Sequence, residues 1–268
     1  MVKLVALDMD GTLLDSSKRV PSDFIPWVKE HRDILPVIAS GRQYYTLLKD
    51  FSDIRDEAVF MAENGAFIVY RDEIIHTDEI EGQSVLYALD WVTEISEVYP
   101  LICGVNSIYY LEEQSEQLSY ALQFFQERKQ VTSLRESIST DTIIKLALYV
   151  PGRNADDVLP KIGELENGLY AVVTGPEWID ILKKTVNKGV GLGIIQNRFG
   201  ISRDESMGFG DLMNDYEMLK NCRYSFAMEN ACDGIRKVAR FHTASNDEDG
   251  VMKVLRDIER YNGGEEQT

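Results

Sequence analysis

The sequence predicts an α/β fold, a mainly parallel sheet flanked by helices and interrupted by an inserted α+β block. Short, continuously apolar runs alternate with amphipathic segments at both ends of the chain, which is the rhythm of βα units. The first run, Leu4-Val5-Ala6-Leu7, lacks polar alternation, as a strand covered on both faces requires. Around residue 80 this rhythm stops, and from Lys188 it resumes.

The elements follow in order. Leu4–Leu7 is the first strand, and residues 22–32 read as a helix with Ser22 at its N-cap. Residues 34–39 form a second strand, although Pro36 lacks the N–H that a central strand uses. Gln43–Phe51 is the next helix, Ala58–Ala62 a third strand, and Asn64-Gly65 a turn into residues 66–70. Residues 82–98 carry apolar side chains at 85, 86, 89, 92 and 95, a helical stripe. Short strands near 101–111, a helix over about 115–128, and strands near 143–150, 169–174 and 178–182 with a helix between the first two complete the middle block. The last block reads as helix 188–199, strand 207–209, a helix from about 214, strand 224–227, and helices near 232–239 and 248–260. The expected organisation is a core of residues 1–80 and 185–268 with residues 81–184 inserted.

Composition removes several function classes. The net charge of −17 opposes a nucleic-acid or anionic-membrane partner, which would need a dense basic face. No apolar run approaches the roughly 20 residues that span a bilayer. Three cysteines form no framework of pairs, and the chain enters a strand directly after Met-Val-Lys, so a soluble cytoplasmic protein is expected.

In doubly wound sheets ligands bind beyond the carboxyl ends of the strands, and four such ends here carry polar residues. At Asp8-Met9-Asp10-Gly11-Thr12, alternation sends both carboxylates to one side, where a divalent cation would relieve their repulsion. Asp10-Gly11 can equally be read as a hairpin turn, which leaves Asp8 without a role. At Ala39-Ser40-Gly41-Arg42, a hydroxyl, a glycine amide and a helix start suit a phosphate, or else a simple N-cap and turn. Lys188 opposes the dipole of the helix it begins, which an anion bound there would explain, as would a plain surface lysine. Asp211, Asn214 and Asp215 surround another helix start, where N-capping accounts for one residue but not three. His31, His76 and His242 lack metal-ligand spacing.

The succession DxDGTL, S-G-R, K-G and GDxxND resembles the haloacid dehalogenase superfamily of aspartate-nucleophile phosphatases. Asn64-Gly65-Ala66, Met228-Glu229-Asn230-Ala231 and the run Ser245–Val251 extend the likeness to the Cof-type subfamily, over essentially the whole chain. The resemblance implies a Rossmann-like core and a C2-type cap. It implies Asp8 as nucleophile and Asp10 as acid and base, with Mg²⁺ held by Asp8, the Asp10 carbonyl and Asp211. It further implies Met9, Ser40, Gly41, Lys188 and Asn214 around the phosphoryl group, supported by Asp215, Arg42 and Thr12. Glu229 stands where the family often has glycine, and Met252 where a smaller residue is usual.

The expected activity is Mg²⁺-dependent hydrolysis of small phosphorylated metabolites, such as sugar phosphates, through an aspartyl phosphate. A sugar phosphomutase is the alternative, and a non-enzymatic phospho-acceptor module fits less well because it would need neither a cap nor a general acid. The sequence is silent on oligomeric state.

Overall fold

The computed structural model describes residues 1–96, 98–152 and 154–262. Glu97 in the expected helix 82–98, and residues 263–268 at the end of the expected core, lie outside them. The chain opens with β1 (Leu4–Asp8), α1 (Phe24–Glu30), β2 (Leu35–Ala39), α2 (Tyr44–Asp50), β3 (Val59–Ala62), β4 (Phe67–Tyr70) and β5 (Glu73–Thr77). The middle contains α3 (Gly82–Thr93), β6 (Tyr99–Gly104), β7 (Ile108–Leu111), β8 (Arg128–Val131), α4 (Leu134–Ser137), β9 (Ile143–Tyr149), α5 (Ala155–Ile162), β10 (Leu169–Gly175) and β11 (Trp178–Lys183). The last stretch is α6 (Lys188–Phe199), β12 (Ser206–Gly210), α7 (Tyr216–Lys220), β13 (Tyr224–Ala227), α8 (Asp233–Val238), β14 (Phe241–His242) and α9 (Gly250–Leu255).

Contacts divide the chain into two units, Met1–His76 with Asn187–Thr268, and Thr77–Val186. The first holds a sheet in the order β14-β13-β12-β1-β2-β3-β4-β5, parallel from β14 to β3 and antiparallel at β3/β4. Leu4 and Ala6 of β1, with Val37, Val59 and Met61 of the neighbouring strands, pack against Leu192 and Ile195 of α6. Val5, Leu7, Ile38 and Phe60 alternate with them and are also buried, so both faces are covered. Pro36 is accommodated because the first β2–β3 pair is Val37 with Val59, one residue after the missing donor would be needed. The second unit is a sheet in the order β10-β11-β9-β6-β7-β8, antiparallel except at β7/β8, with its helices on one face.

Three sequence expectations need correction. The residue capping α1 is Asp23, whose side chain makes no capping bond and accepts from Arg256 instead, while the Phe24 amide that Ser22 would have capped donates to the Pro21 carbonyl. The helix over 115–128 is replaced by turns and one short 3₁₀ stretch, Ala121–Phe124. Its apolar period survives, since Leu118, Ala121, Leu122 and Phe125 share one core with Leu101 and Ala147, but residues 128–131 leave to pair with β7. The edge strand β5 escaped notice because its residues are half-buried or exposed and carry no alternating apolar row.

Candidate active site

The strand alternation that builds the core also delivers the first functional side chain. Leu4 and Ala6 face Leu192 and Ile195 of α6; Asp8, next in that row, meets Lys188, one turn before Leu192 on the same helix face. Lys188 is fully buried, with Nζ 2.5 Å from Asp8 Oδ1 and 2.7 Å from Asp215 Oδ1. Asp215 Oδ2 accepts from the amides of Asp211 at 3.0 Å and Leu212 at 3.3 Å, which shapes the loop after β12. Thr12 Oγ1 donates to Asp211 Oδ1 at 3.2 Å. Carboxylate oxygens of Asp8, Asp211 and Asp215 lie within 4.8 Å of one another, all in buried residues.

This crowding has electrostatic consequences. Burial first, then the Asp215 charge, pushes the Asp8 pKa well above the ordinary carboxylate value, against the pull of Lys188. The same two causes push Asp211 up to about 6. Burial alone would lower Lys188, but Asp215 and Asp8 outweigh it and hold the ammonium charged. Three clustered carboxylates beside a single ammonium are short of positive charge, and all the donors are hard oxygens; such a set fits a divalent cation.

Asp10 corrects the idea that both carboxylates of the DxD pair share one ligand. Its carboxylate is gripped by Arg42, at 2.7 Å from Nε and 2.5 Å from Nη2, and by Lys18 Nζ at 2.6 Å. Burial works to raise its pKa, but the Arg42 contacts, aided by Lys18, hold it below the ordinary value. Arg42, expected beside the phosphate, is committed to Asp10 and to Asp50 at 3.3 Å.

Between Asp8 and Leu14 the chain turns back tightly. The amides of Thr12 and Leu14 donate to the Met9 carbonyl, and Gly11 takes φ 85°, with Asp211 occupying the space a side chain there would need. The buried Ser40 accepts from the Arg42 amide at 3.2 Å through Oγ. The loop after β3 supports it: the Asn64 amide donates to the Ser40 carbonyl at 2.9 Å, and that of Glu63 to the Arg42 carbonyl at 3.2 Å. Glu63, Asn64 and Gly65 have φ 51°, 56° and 98°, and a Cβ on Gly65 would stand 2.9 Å from the Asn187 carbonyl, beside the start of α6. Asn214 Nδ2 donates to Asn64 Oδ1 at 3.2 Å.

A second set of residues, marked in the sequence mainly by the family likeness and given no role there, fixes the loop after Asp10. Asn230 donates to the Gly11 carbonyl at 2.8 Å, Asn246 to the Leu14 carbonyl at 2.9 Å, and Ser16 to Asp247 through both its amide and its hydroxyl. The Asn246 amide in turn donates to Asn230 Oδ1 at 3.2 Å. The bonds to Gly11, Leu14 and Asp247 each span more than 200 positions and leave no local pattern. Met252 is fully buried, a packing residue.

Residues 5–255 match the family of haloacid dehalogenase-like hydrolases. The chain belongs to this family. Over 262 residues it is 30% identical to the 5-amino-6-(5-phospho-D-ribitylamino)uracil phosphatase YbjI of Escherichia coli (strain K12), covering 95% of each chain. It is 27% identical to the phosphatase of the same designation, YitU, of Bacillus subtilis (strain 168), covering 95% of this chain and 96% of that one. Among solved structures it resembles SMU.1108c from Streptococcus mutans UA159, with TM-score 0.86, 29% identity and coverage of 97% and 100%. The protein is a phosphatase of the haloacid dehalogenase type. Among the described residues no helix is long and apolar enough to cross a membrane.

Proposed function

We propose that this hydrolase is a Mg²⁺-dependent phosphomonoesterase working through an aspartyl phosphate. The observation that carries the reading is the Asp8 carboxylate fixed by buried Lys188 beside Asp211 and Asp215. Because its E. coli and B. subtilis relatives carry the name, 5-amino-6-(5-phospho-D-ribitylamino)uracil is the first candidate substrate. We read Thr77–Val186 as the inserted cap domain, and the cysteine usage as that of a cytoplasmic protein.

Asp8, the Asp10 carbonyl and Asp211 would hold Mg²⁺. When bound, the ion supplies positive charge against the phosphoryl oxygens and the clustered carboxylates. Lys188 orients Asp8, so that its free oxygen attacks phosphorus while the P–O bond to the leaving alcohol breaks. Asp10 gives the departing alkoxide its proton, then takes one from the water that cleaves the aspartyl phosphate. Arg42 sets the direction of Asp10 through a two-point contact, and its charge favours the carboxylate form required of the base. The Ser40 hydroxyl, the amides of Gly41 and Met9, Lys188 and Asn214 surround the phosphoryl oxygens, where the transition state spreads its charge. Asp215 keeps Lys188 in place and shapes the Asp211 loop.

A phosphate-release assay over phosphorylated metabolites, with Mg²⁺ or with EDTA, tests the reading. Turnover should require Mg²⁺ and vanish in Asp8→Asn. Wild-type turnover by Asp8→Asn, or release undiminished in EDTA, would refute it.

A further inference from the structure

Asn64 was read from the sequence as a turn residue, and the proposed mechanism makes no use of it. Its position φ of 56° explains why asparagine is tolerated, but glycine would serve that need equally. Turn asparagines ordinarily bond their own local backbone. Here Oδ1 accepts instead from Asn214, 150 positions away, which fixes the end of the amide that faces each neighbour. A Cβ on Gly41 would stand 3.1 Å from Nδ2 and 3.3 Å from Oδ1, so the whole amide borders the Ser40-Gly41 strand end. Asn64 is only 6% exposed, and among the described residues no protein acceptor meets Nδ2. Nδ2 is not one of the enclosed, partnerless polar atoms, so its N–H groups open to solvent, and a donor held in a fixed direction at such an opening is placed to meet an external oxygen, from water or from a ligand.

We propose that Asn64 is a ligand-binding residue whose Nδ2 donates to a non-bridging oxygen of the substrate's phosphoryl group, beside the Gly41 amide. This rests on the phosphomonoesterase reading for the identity of the ligand. Asn64 and Asn214 then act as a pair: Asn214 holds the amide in the orientation that offers its N–H groups to the anion. The three consecutive left-handed residues Glu63, Asn64 and Gly65 are the means by which the loop turns this side chain inward rather than to solvent.

Titration calorimetry with inorganic phosphate, in saturating Mg²⁺, tests the assignment on wild type, Asn64→Gly and Asn64→Asp. Asn64→Gly keeps a residue suited to the backbone conformation and removes the amide; phosphate affinity should fall roughly ten- to a hundredfold, the worth of a hydrogen bond to a charged group. Asn64→Asp keeps the shape and an oxygen for Asn214 while replacing the donor with a carboxylate, and should bind still more weakly. KM for a phosphomonoester should rise in parallel. A merely structural role predicts wild-type affinity in Asn64→Asp, and that result overturns the proposal even if Asn64→Gly proves unstable. Failure of the hydrolase reading is seen separately, as absent turnover by wild type; phosphate binding then still decides whether Asn64 contacts the anion. A wild type that binds no phosphate overturns the Asn64 assignment, while turnover alone decides the hydrolase reading.

Discussion

Replacing Lys188 with methionine removes the only cation among the described residues in direct contact with the buried Asp8 and Asp215 carboxylates while keeping most of the side-chain volume. The contacts are 2.5 and 2.7 Å long, and at an effective dielectric constant of about 20 each represents roughly 6 kcal/mol of Coulomb energy. Desolvation of the ammonium offsets several kcal/mol, so the net loss should be about 3–5 kcal/mol, as for other broken buried pairs. The pH dependence has a definite sign. Lys188 has a pKa raised above the ordinary lysine value, so in wild type its contribution is complete throughout the neutral range. Asp8 and Asp211 have raised pKa values, so each costs stability as pH climbs from the unfolded-state value toward the folded one. Without Lys188 the repulsion grows, and that loss extends to higher pH. Urea unfolding in EDTA should therefore show Lys188→Met far less stable than wild type at pH 8 and closer to it at pH 5, with Mg²⁺ restoring part of the difference. Equal stability at pH 8, or a deficit independent of pH, would refute the view that Lys188 compensates clustered buried charge.

Other consequences can be checked individually. Because protons and cation compete for Asp211, whose pKa is near 6, and for Asp8, which burial also raises, apparent Mg²⁺ affinity measured by titration should fall as pH is lowered through 6, by about tenfold per unit or more well below it. Gly11→Ala forces a side chain into a left-handed conformation and against Asp211; a loss of about 1–3 kcal/mol in thermal unfolding is expected, together with weaker Mg²⁺ binding. In the second unit, Lys145 and Asp180 form a buried pair at 3.2 Å on β9 and β11. Lys145→Met should cost about 3–5 kcal/mol, and Lys145→Met with Asp180→Leu should recover most of it, as measured in a double-mutant cycle.

The parts of the fold that were legible share one property, a period imposed by local geometry. Leu4–Leu7 showed a strand buried on both faces because nothing polar interrupts it, and the helix Gly82–Thr93 showed itself through apolar spacing at 85, 89 and 92. Where tertiary pairing competed with local pattern, the pattern misled. Residues 115–128 have helical spacing, yet the ladder with β7 takes the last of them, and the rest form turns over a shared core. The edge strand β5 is defined by its neighbour rather than by its own residues.

For the site the division is similar. Asp8, Ser40, Lys188 and Asp211 drew attention because polar residues at strand ends and a lysine at a helix start are poorly explained by local energetics. Asn64, Asn230 and Asn246 stood out only through the family likeness and carried no role, since asparagine in a loop is satisfied by turn geometry and its partner lies far along the chain.

The sequence by itself therefore determined the sheet of βα units, the interruption in the middle, and the chemical types gathered at the strand ends, all of which depend on short-range period and composition. Only the tertiary structure decided the separate environments of the two carboxylates in the DxD pair. Asp8 lies buried between Lys188 and the Asp211–Asp215 loop, while Asp10 is held by Arg42 and Lys18. The physical reason is that a carboxylate's pKa and direction are set by burial and by charges a few ångströms away, and those charges come from residues as far apart as 32 and 180 positions in the chain.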